Sequence, residues 1–175
     1  MITVEILRKI CPFSFSVTFK PFVDPLNNLM SKYHINTTLR IRHFIAQLAH
    51  ESGEFKYVKE LASGQAYEGR KDLGNIHPGD GVRFKGRGLI QITGRNNYLA
   101  LSKDLFADQR LIDHPELLEQ PENAVLSACW FWGKNGLNKL ADNDDIKSIT
   151  KKINGGYNGL SDRVVYYARA KKYIQ

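Results

Sequence analysis

The chain has 175 residues, 42% of them hydrophobic, and this length is typical of one globular domain that buries about 70% of its unfolded surface. Its two cysteines, Cys11 and Cys129, are too few and too far apart for a disulfide framework, and they lack the spacing of a zinc site. The formal net charge of +7 indicates an anionic partner, and no stretch reaches the ~18 apolar residues of a membrane span.

The N-terminal 36 residues are predicted to form a helical segment ahead of a core over residues 37–175. The predicted elements of this segment are a helix over residues 2–10, an irregular stretch bracketed by Pro12 and Pro21, and a helix over residues 23–33. The apolar run after Arg8 and Lys9 contains two serines and a proline, so we do not expect a secretory signal peptide.

A third helix is predicted over residues 38–52, with Gly53 ending it. Its apolar positions recur at helical spacing: Leu39, Ile41, Phe44, Ile45, Leu48 and Ala49. Glu51 follows Leu48 by three positions, so it lies at the edge of the buried stripe. A carboxyl group held against apolar walls resists ionisation and can act as a general acid near neutral pH. The alternative is a solvated residue in the last helical turn, where the helix dipole disfavours an anion.

Residues 63–88 contain seven glycines and few periodic apolar positions, which predicts a long loop or a small lobe. A loop of this length in a compact chain is usually functional. After it, Leu89–Thr93 alternates in the manner of a short strand. Such a strand would place Gln91 and Thr93 on one face, where both can point into one cleft.

The rest of the chain is predicted to be helical. The expected helices cover residues 96–106, 115–118, 121–134, 145–154 and 161–173. Together these elements predict a mainly α chain, in which two lobes flank a groove.

Four segments, in this order along the chain, resemble glycoside hydrolase family 19. They are residues 50–53 (HESG), 86–98 (GRGLIQITGRNNY), 153–156 (INGG) and 162–163 (DR). The family comprises plant-type chitinases and bacterial and phage endolysins, and the resemblance runs from about residue 38 to the C-terminus. It implies one catalytic domain, residues 1–175, with a lysozyme-like two-lobed fold and a small β element lining the groove. The lack of several disulfides, on which plant relatives depend, favours the endolysin branch.

Glycoside hydrolysis needs two carboxyl groups, an acid and either a base or a nucleophile. Glu51 is the expected acid. The resemblance makes Glu60 the second carboxylate, with Glu54 and Glu68 as rivals, and gives Thr93 the role of holding the nucleophilic water. An exposed helical charge beside nearby lysines is the plain alternative for Glu60.

The resemblance also implies residues that bind the sugar. Gln91, Asn97 and Asn154 match amide positions that bond sugar hydroxyls and N-acetyl groups, Arg163 matches an arginine near the acid, and Tyr67 is a further candidate. The plain alternatives are that residues 154–156 end a helix and that Arg163 forms an exposed salt bridge. Trp130, Phe131 and Trp132 are expected in the core, although an aromatic ring can stack on sugar. The chemistry requires no metal or other cofactor.

These inferences favour an inverting endolysin that cleaves β-1,4 bonds of peptidoglycan, with chitin as the closest alternative substrate. We expect a monomer, made in the bacterial cytoplasm and reaching the wall by holin-type release or dedicated secretion. A basic nucleic-acid-binding protein would need no acid in a cleft, so no nucleic-acid partner is expected. A catalytically inactive wall-binding module is disfavoured because Glu51, Thr93 and Gln91 occur together.

Overall fold

The computed structural model describes all 175 residues and consists mainly of helices. The α-helices are α1 (Val4–Ile10), α2 (Ser16–Met30), α3 (Thr38–Glu51), α4 (Asp80–Arg83), α5 (Arg95–Phe106), α6 (Arg110–Asp113), α7 (Pro121–Lys134), α8 (Leu137–Asp142), α9 (Ile146–Asn154) and α10 (Leu160–Tyr173). Single 3₁₀ turns cover Ser31–Tyr33, Gln65–Tyr67, Lys71–Leu73 and Pro115–Glu119. The mainly α architecture is confirmed, and the division at residue 36 stays a prediction.

Side-chain caps fix where several helices begin. The hydroxyl of Thr37 accepts a hydrogen bond from the Arg40 amide, and the carboxylate of Asp145 accepts one from Ser148. At the other end of α3, Ser52 caps the helix and Gly53 adopts a φ of 55°. The predicted helix over residues 38–52 is thus confirmed to within one residue.

The predicted irregular stretch before Pro21 is wrong in its second half, because α2 begins at Ser16 and runs through Pro21 and Pro25. A proline inside a helix costs about 3 kcal/mol. This cost is offset by a face of α2 that is buried in the core: Phe19, Phe22, Leu26, Leu29 and Met30. Burying one such side chain contributes about 1.5–3 kcal/mol, so packing outweighs the local preference.

One cluster of 37 buried hydrophobic residues forms the core. Helix α10 packs along α3, and α2 packs along α7. Phe44 of α3 meets Trp132 of α7 edge to face, with ring centroids 5.2 Å apart. Cys11 and Cys129 are free thiols inside this core. No helix combines the length and apolar character needed to cross a membrane.

The strand predicted over Leu89–Thr93 is wrong. Only two isolated bridges form here, Lys59 with Arg87 and Arg87 with Ile92. Gln91 has a left-handed φ of 55°, which breaks the alternation. The segment begins against α7, since a Cβ on Gly88 would fall 2.6 Å from the Ser127 hydroxyl. The two bridges make up the small β element.

The later helices follow the sequence closely. Helix α7 has the predicted bounds, α10 begins one residue earlier than expected, and residues 115–119 form a 3₁₀ turn. Helices α4, α6 and α8 were not predicted, because four to six residues are too short to display helical periodicity.

Candidate active site

Glu51 is the last residue of α3, and its side chain is 16% exposed. One carboxylate oxygen accepts a hydrogen bond from Nη2 of Arg163, which is fully buried on α10. Nη1 of the same guanidinium donates to Oε1 of Gln47 at 2.5 Å. Gln47 lies one turn before Glu51, so a single arginine bridges two positions on one face of α3.

The predicted partial burial of Glu51 is confirmed, but the apolar walls expected around its carboxyl group are wrong. The immediate neighbour is the guanidinium of Arg163, which donates a hydrogen bond to the carboxylate. Only Oε1 is used by Arg163, and Oε2 makes no hydrogen bond within the chain. Oε2 can therefore carry a proton while Oε1 stays bonded to Arg163. The exposed salt bridge considered for Arg163 is also wrong, because its side chain is 0% exposed.

Hydrogen bonds around Glu51 hold the start of α10 against the end of α3. Nδ1 of His50 lies 2.6 Å from a carboxylate oxygen of Asp162, so two adjacent residues on one helix pair with two on the other. Gly159 permits this approach: a Cβ there would fall 2.3 Å from the His50 ring, and its φ is 73°. His50 therefore helps to hold the two helix ends together beside Glu51.

Glu60 lies in a non-helical segment where its carboxylate has two hydrogen-bond donors. Oε1 accepts from the Tyr67 hydroxyl at 3.0 Å, and Oε2 accepts from the Gly86 amide at 3.1 Å. Burial, together with the hydrogen bond to Glu60, raises the pKa of Tyr67, which keeps its hydroxyl a donor. A Cβ on Gly86 would meet Oε1 of Gln91 at 2.7 Å, so Gln91 also reaches this point. The alternative of a helical surface charge is wrong for Glu60.

The two rival carboxylates have structural partners. Glu54 is 2% exposed, has a φ of 62°, and accepts a hydrogen bond from the Tyr166 hydroxyl. Glu68 accepts from the amides of Gly79 and Gly81 at 2.7 and 2.8 Å, which uses both of its oxygens to hold the loop. Glu60 is thus the better placed second carboxylate, although its role in the reaction stays a prediction.

Gln91, Thr93 and Asn97 line one cavity of about 320 Å³, although the shared strand face that was expected does not exist. The side-chain amide of Gln91 donates to the Gly88 carbonyl at 3.0 Å, and that of Asn97 donates to the Thr93 carbonyl at 2.7 Å. The amide oxygens of Gln91 and Asn97 accept no hydrogen bond within the chain, so they can receive one from a sugar hydroxyl.

Part of the lining of this cavity comes from α7, and this part was not predicted from the sequence as a sugar-binding surface. Trp130, Phe131, Lys134 and Asn135 line it, and Ile153 of α9 closes one side. Trp130 belongs to the core, as expected, and its indole nitrogen donates to the carboxylate of Asp104 at 2.8 Å. The available signal was the aromatic run on α7, which places bulky rings on more than one face of the helix.

Asn154 ends α9, and Gly155 follows it in the left-handed region with a φ of 79°. The plain helix-end alternative therefore describes its backbone. The Asn154 side chain is exposed and makes no hydrogen bond within the chain, while its neighbour Ile153 lines the cavity. A role in sugar binding stays a prediction for Asn154.

No family model matches the chain. A glycosyl hydrolase family 19 domain-containing protein of Haemophilus influenzae is 31% identical over an alignment of 155 residues, and the match covers 71% of this chain and 74% of that protein. The chain belongs to glycoside hydrolase family 19. An Arabidopsis thaliana endochitinase is 32% identical over 147 residues, covering 83% of this chain and 50% of its own length, so the match spans about half of that plant relative.

Solved structures of family 19 chitinases share this fold. Chitinase C from Streptomyces griseus has a TM-score of 0.75 at 21% identity, over 99% of this chain and 76% of its own. A bacterial family 19 chitinase has a TM-score of 0.78 at 18% identity, over 99% of this chain and 94% of its own. These likenesses confirm the lysozyme-like fold, and the family membership makes the protein a glycoside hydrolase.

Proposed function

We propose that this glycoside hydrolase cleaves the β-1,4 bonds of peptidoglycan glycan strands with inversion at the anomeric carbon. The observation that carries the proposal is the contrast between two carboxylates, Glu51 bonded to a buried arginine and Glu60 bonded to a hydroxyl and an amide. Inverting hydrolysis needs such a pair, with one group acting as acid and the other as base.

Glu51 is the proposed acid. Its free Oε2 donates a proton to the glycosidic oxygen as the bond to the anomeric carbon breaks, and the resulting carboxylate is stabilised by Arg163. Arg163 is itself held by Gln47, so the guanidinium keeps its position while the charge on Glu51 changes.

Glu60 is the proposed base. It accepts a proton from a water molecule that attacks the anomeric carbon from the opposite face, and the Thr93 hydroxyl helps to hold this water. Inversion requires the two carboxyl groups to be about 6.5–9.5 Å apart, so that the water fits between them. Gln91, Asn97, Asn154 and Tyr67 are proposed to bond sugar hydroxyls and N-acetyl groups.

The net charge of the chain and one lysine in the cavity support peptidoglycan as the substrate. The net charge of +7 attracts an anionic wall, and Lys134 lines the cavity with its side chain 48% exposed. Lys134 lies 3.4 Å from the Asp104 carboxylate, and carboxylates on the peptide branches of peptidoglycan can compete for this exposed lysine, whereas chitin is neutral. Chitin is the second candidate, favoured by relatives that are described as endochitinases.

Parallel assays separate the two substrates. Clearing of a suspension of chloroform-treated Gram-negative cells, with little release of sugar from colloidal chitin, is the expected result. Lys134→Gln should slow lysis several-fold, while the matched control Lys139→Gln on α8, outside the cavity, should not. Rapid hydrolysis of chitin without lysis of cells would mean that chitin, not peptidoglycan, is the substrate.

Salt provides a second test of the charge argument. Lysis should fall as the salt concentration rises from about 50 to about 300 mM, because the Debye length shrinks from ~14 to ~6 Å. Cleavage of a short neutral oligosaccharide should change little. Equal salt sensitivity of both reactions would mean that salt acts on the fold or the site rather than on attraction to the wall.

The stereochemistry can be read directly by NMR. Freshly released sugar ends should be α-anomers, because inversion of a β-1,4 bond gives an α product. A β-anomeric product would rule out inversion and give the second carboxylate the role of nucleophile.

We also propose that the enzyme is a monomer that reaches the wall through a holin or a secretion machine. Sedimentation should give a mass near 19.9 kDa. Expression in a bacterial host should cause lysis only when a holin is co-expressed or chloroform is added. Lysis without either would contradict this route of delivery.

A further inference from the structure

The turn between α1 and α2, together with the first residues of α2, exposes three large apolar side chains within five residues. Phe13, Phe15 and Val17 are 72%, 79% and 76% exposed. They do not line the cavity that holds Gln91 and Thr93. A concentrated apolar patch on a soluble protein is often an interaction surface.

The turn is anchored rather than loose. Cys11 is 0% exposed, and Ser14 is 5% exposed with its hydroxyl donating to the Glu54 carbonyl at 2.9 Å. Because Ser14 faces inward, Phe13 and Phe15 on either side of it are held outward. Exposed aromatic side chains on an ordered backbone lose little conformational entropy when they bind a partner.

The first part of α2 rests on the core behind this patch. Phe19 and Phe22 pack on Phe55, with ring centroids 5.9 and 5.7 Å apart. The helix begins at Ser16 without a side-chain cap. The Thr18 amide donates to the Phe15 carbonyl at 2.9 Å, while the amides of Ser16 and Val17 are available to a phosphate group close to the exposed phenylalanines.

Basic residues surround the patch. Arg8 and Lys9, together with residues 12–16, line a surface depression of about 620 Å³. Arg169 of α10 donates to the Ile10 carbonyl at 3.3 Å. Lys9 of α1 and Lys172 of α10 both approach the Tyr173 ring, with each Nζ atom 5.3 Å from its centroid. Glu5 is the one acidic residue among the first 23.

We propose that this turn docks on an anionic phospholipid bilayer. Phe13 and Phe15 would enter the interface between headgroups and acyl chains, while Arg8, Lys9 and Lys172 pair with lipid phosphates. A second copy of the chain is a poor fit, because a symmetric contact would bring the same basic residues face to face. The proposal rests on this surface alone and is independent of the substrate proposed above.

Vesicle flotation with the full chain tests the proposal. The protein should float with vesicles of phosphatidylglycerol and phosphatidylethanolamine and remain unbound with phosphatidylcholine vesicles. The double variant Phe13→Ser/Phe15→Ser should lower the partition coefficient at least tenfold, as expected when two exposed aromatic rings no longer enter the interface. Arg8→Gln/Lys9→Gln should lower it roughly 25-fold, because each basic residue near an anionic surface contributes roughly fivefold.

Matched controls separate this surface from general charge and hydrophobicity. Lys147→Gln/Lys151→Gln removes two charges from α9, and Ile76→Ser removes an apolar side chain that is 65% exposed elsewhere. These variants should bind anionic vesicles within about threefold of the parent, since they lie outside the patch. All variants should keep the parent's melting temperature, because every substituted side chain lies on the surface.

Several results would overturn the proposal. They are unchanged vesicle binding by Phe13→Ser/Phe15→Ser, equal binding to phosphatidylcholine, and binding to lipopolysaccharide without binding to phospholipid. The protein could instead fail to bind vesicles and form a concentration-dependent dimer that the same double variant abolishes. That result would mean that the patch binds a second copy of the chain.

Discussion

The two proposed catalytic carboxylates are positioned in different ways. Glu51 ends a regular helix, and its partner Arg163 lies 112 residues away on another regular helix. Glu60 lies in an irregular segment and is held by Tyr67 and Gly86, seven and 26 residues away. The acid is thus built from packed helices and the base from a folded loop, so the two should respond differently to substitution.

Glu51→Gln should have the largest effect. An amide cannot donate the catalytic proton, so lytic activity should fall by several orders of magnitude, measured as the rate of cell clearing. The amide oxygen can still accept from Arg163, but the buried guanidinium loses its counter-charge, which should cost about 1–3 kcal/mol of stability. Lysis at the parent rate by a folded Glu51→Gln protein would remove Glu51 from the mechanism.

Glu60→Gln should lower activity nearly as far while leaving the helical core intact. Glu68→Gln is the matched control in the same loop region, because Glu68 holds the amides of Gly79 and Gly81 and has no proposed catalytic role. We expect Glu68→Gln to be mild in activity. A small loss of activity in Glu60→Gln together with a large loss in Glu68→Gln would mean that Glu68, not Glu60, is the base.

Tyr67→Phe sharpens the comparison, because it removes one of the two donors to Glu60 and leaves Glu51 untouched. A hydrogen bond to a charged group contributes about 1.5–3 kcal/mol, so the rate should fall about 10- to 100-fold at most. The loss should appear in kcat with KM little changed, because the lost hydrogen bond acts on the base and not on the bound sugar. A loss confined to KM would mean that Tyr67 contacts the sugar only.

The loop region also contains an ion pair of its own, between Arg95 and Asp80. The hydrogen bond from Arg95, at 2.6 and 2.8 Å, lowers the pKa of the Asp80 carboxyl below its usual value of 3.8. A lowered folded-state pKa gives stability that is fully present above the unfolded pKa and is lost as pH falls through the folded one. Asp80→Asn should therefore destabilise the protein by about 1.5–3 kcal/mol at neutral pH.

Urea unfolding across a pH series measures this effect. The difference between the parent and Asp80→Asn should shrink as pH drops below about 4, where the parent's carboxyl group also becomes neutral. A difference that stays constant down to about pH 2 would mean that side-chain packing, not the charge, explains the loss.

The same contrast explains what the sequence could predict. Apolar periodicity placed α3 and α7 to within a residue, because helical spacing repeats and is read locally. The resemblance supplied Arg163, but its complete burial and its bond to Gln47 follow from the packing of α10 on α3. No local pattern carries that information.

The region after α3 was harder to predict for a physical reason. Glu54, Phe55 and Gln91 all have positive φ values of 55–65°, which residues other than glycine rarely adopt. Tertiary contacts impose these conformations, so a strand pattern over Leu89–Thr93 was misleading. Pro21 and Pro25 led to a wrong prediction for the start of α2 for a similar reason. Burial of the apolar face of α2 outweighed the helix-breaking tendency of the two prolines.

The pairing of Glu51 with Arg163 also bears on when the enzyme becomes competent during folding. We expect a contact that spans 112 residues to form late, because closing a long loop must precede any gain from it. A nascent chain whose residues 160–173 are still inside the ribosome has Gln47 and Glu51 but no guanidinium between them. Hydrolytic competence should thus arise after synthesis of α10, in a single late docking step.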